Sequence, residues 1–354
     1  MRILITSAPF HPSLGGIETA THVLASGLAE RGYDVTVVTP TPGGCDDYPF
    51  TVVRNPRPME FLRLVRDSDL MWQSHVSLRM LWPLIFIRRP LIIMHHIWLR
   101  SDAETETRNG FLKRLACLFA QNAFVSSILR DAAGLRGPVI PNSYNETLFR
   151  ELPDVPRDRD VVYLGRLKAF KGPDLLIDSL TRLAACGRHL TATIIGMGPQ
   201  ADELKRQAAA AGLAAQVEFP GPLQGDALVR MLNRHRIMVV PSRWEEPFGL
   251  VALEGMACGC VVVVANSGAL PEVVGPCGPV VPKNDRIALA AELDRLVSHP
   301  DVLAEYRQRV PQHLAKFRTT TMLDACEAAI HETVDRWRHN SAARHVTVHS
   351  MLRR

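Results

Sequence analysis

From Val161 to Asn266 the chain alternates continuous apolar runs with helical segments. The runs are VVYLG, LTATIIG, QVEFPG, RIMVVPS and CVVVVAN. Between them stand PDLLIDSLTRLAACG, ADELKRQAAAAG, DALVRMLNRH and GLVALEGMACG. A strand that is apolar on both faces needs cover on both faces. Helices interleaved with such strands supply that cover only when the sheet is parallel. The stretch therefore predicts an α/β layer structure.

The first part of the chain carries the same grammar less regularly. RILITS reads as a strand and APFHPSLGGIE as a loop. TATHVLASGLAERG has helical periodicity closed by Gly32, and DVTVVTP is the next strand, which completes a βαβ unit. DLMWQSH, PLIIMHHIW, AFVSS and PVIPNS read as further strands. At 354 residues the chain is long enough for about two domains. The polar segment RELPDVPRDRD (150–160) holds two prolines and reads as the linker. The expected division is 1–152, 153–320, a C-terminal helix over 321–340 packing back toward the first domain, and a frayed basic tail at 341–354. Ligands of doubly wound sheets sit beyond the carboxyl ends of strands. Two such domains are expected to face a central cleft.

Composition narrows the function classes. Hydrophobic residues make up 47% and charged residues 22%, a globular rather than a disordered balance. A net charge of +5 is mild for this length and gives no reason to expect nucleic acid. The seven cysteines form no C-x-x-C pair, so they read as small buried hydrophobes in a reducing compartment rather than zinc ligands. The opening MRILITSAP is short for a secretory leader and lacks a cleavage site. The greasiest stretch, LRMLWPLIFI, falls well below the roughly 20 apolar residues of a membrane span. A cytoplasmic location is the expectation.

Three stretches carry candidate chemistry. In YLGRLKAFKGPDLL a strand ends near Gly165, and a helix opens at Pro173 with Arg166, Lys168 and Lys171 between them. Cations beside a helix N-terminus could hold a diphosphate, or form an ordinary solvated loop. In SLGGIE, Gly15 and Gly16 let a ligand approach the backbone, or merely make a tight turn. GMGP at 196–199 lacks the third glycine of a dinucleotide fingerprint, so no nicotinamide cofactor is expected. In PSRWEEPFGLVALEG a helix opening at Pro247 would put Glu246 at its mouth and Glu254 about 12 Å along its axis. Two carboxylates so spaced could grip the two ends of a nucleotide sugar. Alternatively Glu254 makes a buried salt bridge and Glu246 caps the helix.

These stretches resemble a family. EEPFGLVALE is similar to the E-x7-E signature of the family 4 retaining glycosyltransferases, which have the GT-B fold. GRLKAFKG, IPNSYNETLF, SGALPEVVG and GGIE resemble further motifs of that family, in its order along nearly the whole chain. Asn145 and Ser143 stand where the family has aspartate and glycine, and Val261 where it has proline. The resemblance implies two doubly wound Rossmann-like domains and no permanently bound cofactor, with a nucleotide-diphosphate sugar as donor substrate. Arg166 and Lys171 would bind the diphosphate, and Glu254 the ribose hydroxyls. Glu246 would meet the transferred sugar, with the amides of Phe248, Gly249 and Leu250 lining that sugar or phosphate. Gly15 and Gly16 would lie near the phosphates and acceptor. In MHHIW, His95 fits best the histidine that faces the sugar, with His96 as rival.

The resemblance implies a metal-independent hexosyl or N-acetylhexosaminyl transfer that keeps the anomeric configuration. Asp46-Asp47 reads as a solvated pair, not a metal dyad. The acceptor would be a glycan, a lipid-linked molecule or a small molecule, in envelope polysaccharide, glycolipid or other glycoconjugate synthesis. Basic and apolar residues interleave at Arg54, Arg57, Phe61, Leu62, Arg63, Val65 and Arg66, and again at Trp82, Phe86, Arg88 and Arg89. That pattern suggests an anionic membrane surface, but core elements with solvated arginines account for it better. Rival readings are a non-catalytic sugar-nucleotide-binding protein, a sugar-nucleotide epimerase and a phosphorylase on the same fold.

Overall fold

The computed structural model describes residues 1–13, 15–43, 47–99 and 108–351, with only the backbone at 108–109 and 341–351. Leu14 of the glycine loop, Cys45 and Asp46 lie outside the described residues. The chain divides into two units, Met1–Asn142 with Thr319–Arg354, and Ser143–Arg318.

Unit 1 is built on six strands: β1 (Arg2–Ser7), β2 (Asp34–Thr39), β3 (Thr51–Arg54), β4 (Leu70–Ser74), β5 (Leu91–His95) and β6 (Gln121–Phe124). They pair in the order β3-β2-β1-β4-β5-β6, all parallel. β1 is central. Ile3 is in register with Val35 on one side and Leu70 on the other. Every residue of β4 and β5 is buried, as a sheet covered on both faces demands.

Unit 2 repeats the plan with β7 (Arg159–Leu164), β8 (Ala192–Ile195), β9 (Val217–Gly221), β10 (His235–Val240), β11 (Val261–Ala265) and β12 (Val280–Val281). The order is β12-β11-β10-β7-β8-β9, again all parallel. Numbered within each unit, both sheets run 3-2-1-4-5-6, the doubly wound order. The direction of winding reverses between β1 and β4 in unit 1, and between β7 and β10 in unit 2.

Several expectations needed revision. β3 went unread because its residues are half-exposed and too polar to stand out. PVIPNS is not a strand. Only Val139 bridges to Phe124, since prolines at 138 and 141 remove the ladder donors on both sides. The segment 150–160 belongs to unit 2 and is held there. Asn233 Nδ2 donates to the Arg150 carbonyl (3.0 Å), and the Leu152 N–H donates to Asn233 Oδ1 (2.8 Å). Arg157 donates to the carbonyls of Asn233, His235 and Cys258.

The C-terminal helix spans Thr319–Met351, so the backbone stays helical through most of the expected tail. It belongs to unit 1. Cys326, Ala329 and Ile330 are buried, and Arg31 pairs with Asp324 (2.8 Å) and Glu327. It comes so close to the helix Gly16–Glu30 that a Cβ on Gly27 would lie 2.3 Å from Leu323 Cδ1.

Candidate functional site

The candidate site of unit 2 lies where the winding reverses. The loop after β7 carries Arg166, Lys168 and Lys171, and the loop after β10 carries Glu245 and Glu246. β7 and β10 are neighbours, so the two loops leave the sheet side by side.

Phe170 organises the basic loop. Arg166 Cζ, Lys168 Nζ and Lys171 Nζ each lie 5.8 Å from its ring centroid. An aromatic face attracts cations, so one ring gathers three positive charges that would otherwise spread apart. The Phe170 carbonyl accepts the N–H groups of Arg243 (2.8 Å) and Trp244 (2.9 Å), and the hydroxyl of Ser242 (3.2 Å). Arg243 then grips Asp174 with two hydrogen bonds of 2.7 and 2.6 Å and donates to the Ala169 carbonyl at 2.7 Å. A planar fork on a carboxylate is a specific, directional clamp. Sequence reasoning missed Arg243 and Asp174, and no local pattern would have revealed them, because they stand 69 positions apart.

The three glutamates separate into three roles. Glu245 is structural, since it accepts the Gly268 N–H and pairs with Lys283. Glu246 is buried and meets Lys171 Nζ at 2.5 Å through Oε1, the atom that also accepts the Ser242 hydroxyl at 2.7 Å. Its backbone is pinned too. The Ala269 N–H donates to the Glu246 carbonyl (2.8 Å), and Gly268 lies so near that a Cβ there would meet that carbonyl oxygen at 2.2 Å. Glu254 has no hydrogen bond or ion pair to its carboxylate among the described residues. Burial pushes its carboxyl up to about 7. A carboxyl desolvated without a partner is an acceptor left for a ligand.

The helix here starts at Leu250, not at Pro247, and runs to Ala257. Residues 246–249 therefore do not add helical rise between Glu246 and Glu254. Gly249 caps the helix with φ 105°, a conformation that favours glycine, and leaves the first amides of the helix without a side-chain cap. Phe248 is buried and packs on Phe317, with ring centroids 6.0 Å apart. Near the start of unit 2, Asn145 Oδ1 accepts the Thr147 hydroxyl (2.8 Å) and the Leu148 N–H (3.1 Å). This side chain makes a local turn where the family pattern has aspartate.

In unit 1 the glycine pair opens the helix Gly16–Glu30, and both glycines are exposed. Gly15 is extended and provides no side-chain cap. His95 differs from expectation. It is fully buried, its ring stacks on Phe124 at 4.7 Å, and its Nε2 meets Asn122 Oδ1 at 2.9 Å. These contacts make it a core histidine. His96 stands at 9% exposure beside Asn142, and burial, with His95 adding, holds its imidazole down to about 4. The ring is thus neutral at ordinary pH. Its Nδ1, like that of His95, is buried without a partner among the described residues. Of the expected membrane-facing residues, Phe61 and Val65 are core, and Arg54 donates to the carbonyls of His11 and Thr41 (both 2.9 Å). Phe86 and Arg88 are exposed. Among the described residues no group of three or more His, Cys, Asp or Glu is placed to hold a metal ion.

Comparison with known proteins bears on this arrangement. Residues 145–313 match the family model of glycosyl transferases group 1, and residues 14–147 that of glycosyltransferase family 4. A D-inositol 3-phosphate glycosyltransferase of Rhodococcus jostii is 34% identical over 171 residues, which is 46% of this chain and 38% of that relative's own length. A glycogen synthase of Mycobacterium tuberculosis is 28% identical over 388 residues, 92% of this chain and 91% of that protein. Among solved structures, Anabaena HepE in complex with UDP has a TM-score of 0.78 at 23% identity, covering 94% of this chain and 100% of that one. Sucrose-phosphate synthase from Thermosynechococcus elongatus has a TM-score of 0.73 at 21% identity, covering 97% and 99%. These likenesses show the fold, the GT-B type with two Rossmann-like domains.

Proposed function

This chain belongs to the family 4 glycosyltransferases of the group 1 type, and on that premise we propose that it moves a sugar from a nucleotide-diphosphate sugar to an acceptor hydroxyl. The observation that carries the reading is the grouping at the β7/β10 reversal. Arg166 and Lys168 have no acid partner among the described residues, Lys171 is held against Glu246, and Glu254 is a half-buried carboxyl, pushed up by burial, with no partner among the described residues.

Each part has a task. Arg166 and Lys171 neutralise the diphosphate as it departs; preorganised charge of this kind can supply several kcal/mol. The amides of Phe248, Gly249 and Leu250 add the N–H groups of a helix terminus. Glu254 accepts from the ribose hydroxyls and is ionised by that contact. Glu246 accepts from the transferred sugar while sharing Lys171. No permanently bound cofactor takes part. The transfer is metal-independent and retains the anomeric configuration, with a donor phosphate oxygen taking the acceptor proton. The sugar is a hexose or N-acetylhexosamine, and the acceptor a glycan or glycoconjugate precursor. Gly15, Gly16 and the neutral His96 of unit 1 are assigned to ligand contact rather than to folding.

The test is a thermal-shift screen against uridine, guanosine and adenosine diphosphate sugars, since a ligand that prefers the native state raises Tm. One base should stand out. Proton NMR of the first product formed should then show the donor's anomeric configuration. No shift with any donor, or an inverted product, overturns the reading.

A further inference from the structure

Unit 1 carries an apolar groove of its own. It lies between Leu78–Ile85, the helix Arg108–Leu118 and the C-terminal helix, and its volume is about 1010 Å³. Leu84, Ile85, Leu112, Leu115, Leu118 and Phe119 line it. Its lips are bare. Ile85 is 79% exposed, Leu118 69% and Phe119 81%, and Phe86 beside them is 72% exposed. Contiguous apolar surface of this kind on one unit marks an interaction site.

The charge around it selects the occupant. Leu78–Arg89 and Gly110–Phe119 hold Arg79, Arg88, Arg89, Lys113 and Arg114, and no carboxylate at all. Arg89 is occupied by the carbonyls of Ser68 and Arg88 (2.8 and 2.9 Å) and of Arg66. Arg79, Arg88, Lys113 and Arg114 make no ion pair among the described residues. A second copy of the chain is a poor fit, because a two-fold contact would set these cations against themselves. A protein interface buries an apolar centre inside a rim of mixed polarity, whereas the Leu78–Arg89 and Gly110–Phe119 edges of this groove carry only cations; on the third edge, the C-terminal helix, Arg336 is paired with Glu332.

We propose that this face docks on an anionic phospholipid bilayer, with Ile85, Phe86, Leu118 and Phe119 entering the acyl boundary and Arg79, Arg88, Lys113 and Arg114 meeting lipid phosphates. Apolar residues flanked by lysine and arginine are what an interfacial element needs. No helix among the described residues is long and apolar enough to cross a membrane. The inference does not depend on the transfer reaction.

The experiment is cosedimentation of the full chain with vesicles of phosphatidylcholine alone and of phosphatidylcholine mixed with phosphatidylglycerol. Binding is expected only to the mixed vesicles and should weaken as salt rises. F86S/F119S should lower it by at least about tenfold. R88E/R114E should lower it by a similar factor, as each cation near an anionic surface is worth about fivefold. Tm and nucleoside diphosphate binding should be unchanged in both. If the phenylalanine pair impairs folding, the arginine pair decides alone. Failure to bind mixed vesicles, equal binding to both vesicle types, or variants that bind like the parent overturn the proposal. So does a parent dimer that F86S/F119S converts to monomer, which would give the face to a second copy.

Discussion

Lys171 Nζ lies 2.5 Å from Glu246 Oε1 and ties the loop after β7 to the loop after β10. The pair is more than a stabilising contact. Glu246 is buried with one cation beside it, and that cation also belongs to the basic group around Phe170. On the proposed reading a bound diphosphate draws on the same ammonium group, which would couple donor binding to the state of Glu246.

Removing the lysine tests that coupling. Lys171→Ala leaves Glu246 with the Ser242 hydroxyl and no cation. The expected loss is about 1–3 kcal/mol of stability, together with a fall of at least about tenfold in nucleotide-sugar affinity. The double variant K171A/E246A should lose less stability than the two single variants summed, by about 1–3 kcal/mol. Urea unfolding and titration calorimetry measure both. Strictly additive losses would mean that the pair is not coupled.

Glu254 predicts a pH dependence. Its folded pKa of about 7 exceeds the ordinary 4.5. Below 4.5 both states are protonated and there is no penalty. Between 4.5 and 7 the unfolded chain gives up the proton while the folded one keeps it, so stability falls as pH rises. The penalty is complete above 7 and on the order of 3 kcal/mol. Glu254→Gln removes it, so the variant should be more stable than the parent at about pH 8 and equal to it near pH 4. Nucleotide affinity of the parent should rise with pH across the same window and that of the variant stay flat. A parent whose stability rises across the window would contradict this account.

Gly268 supports Glu246 through the backbone. An alanine Cβ there would stand 2.2 Å from the Glu246 carbonyl oxygen and 2.4 Å from its nitrogen, at φ +56°. Gly268→Ala must therefore displace the loop. We expect a loss of about 1–3 kcal/mol and a rise in KM for the donor, although residue 268 itself makes no ligand contact in this scheme. Calorimetry and steady-state kinetics check it. An unchanged KM would show that the position of Glu246 does not matter to donor binding.

The two histidines should part company. His95→Ala empties a core position stacked on Phe124 and should cost about 2–4 kcal/mol, with turnover per folded molecule nearly intact. His96→Ala also empties a buried position, beside Asn142, and should lower Tm, but it should in addition depress turnover per folded molecule. Melting curves run beside activity assays read the two effects separately. If turnover survives in His96→Ala and is lost in folded His95→Ala, the assignment of His96 to ligand contact fails.

How much of this was legible beforehand varies by region. β7 to β11 of unit 2 were readable because a sheet covered on both faces leaves few polar positions to blur the pattern, whereas β12, two residues long, was not read. β3 was not, since a half-exposed edge strand carries little apolar signal. The segment 150–160 looked like a linker for sound local reasons, yet Asn233 and Arg157 bind it to unit 2. Its prolines record an irregular path and say nothing about what the path leans on. The helix Leu250–Ala257 was placed three residues early, because Pro247 suits a first turn and the φ of Gly249 cannot be read from its identity.

Sequence alone determined the architecture and the kinds of residue at the site: apolar period, loop position and motif order are local properties that survive in one dimension. Only the tertiary structure decided what each charge does. Three glutamates within ten positions of one another became an anchor for Gly268 and Lys283, a partner for Lys171, and an unpaired acceptor. The arginine fork on Asp174 and the burial of His95 belong to the same class. Charge and burial act through distance in space, and contacts between residues dozens of positions apart leave no trace in the spacing of either one.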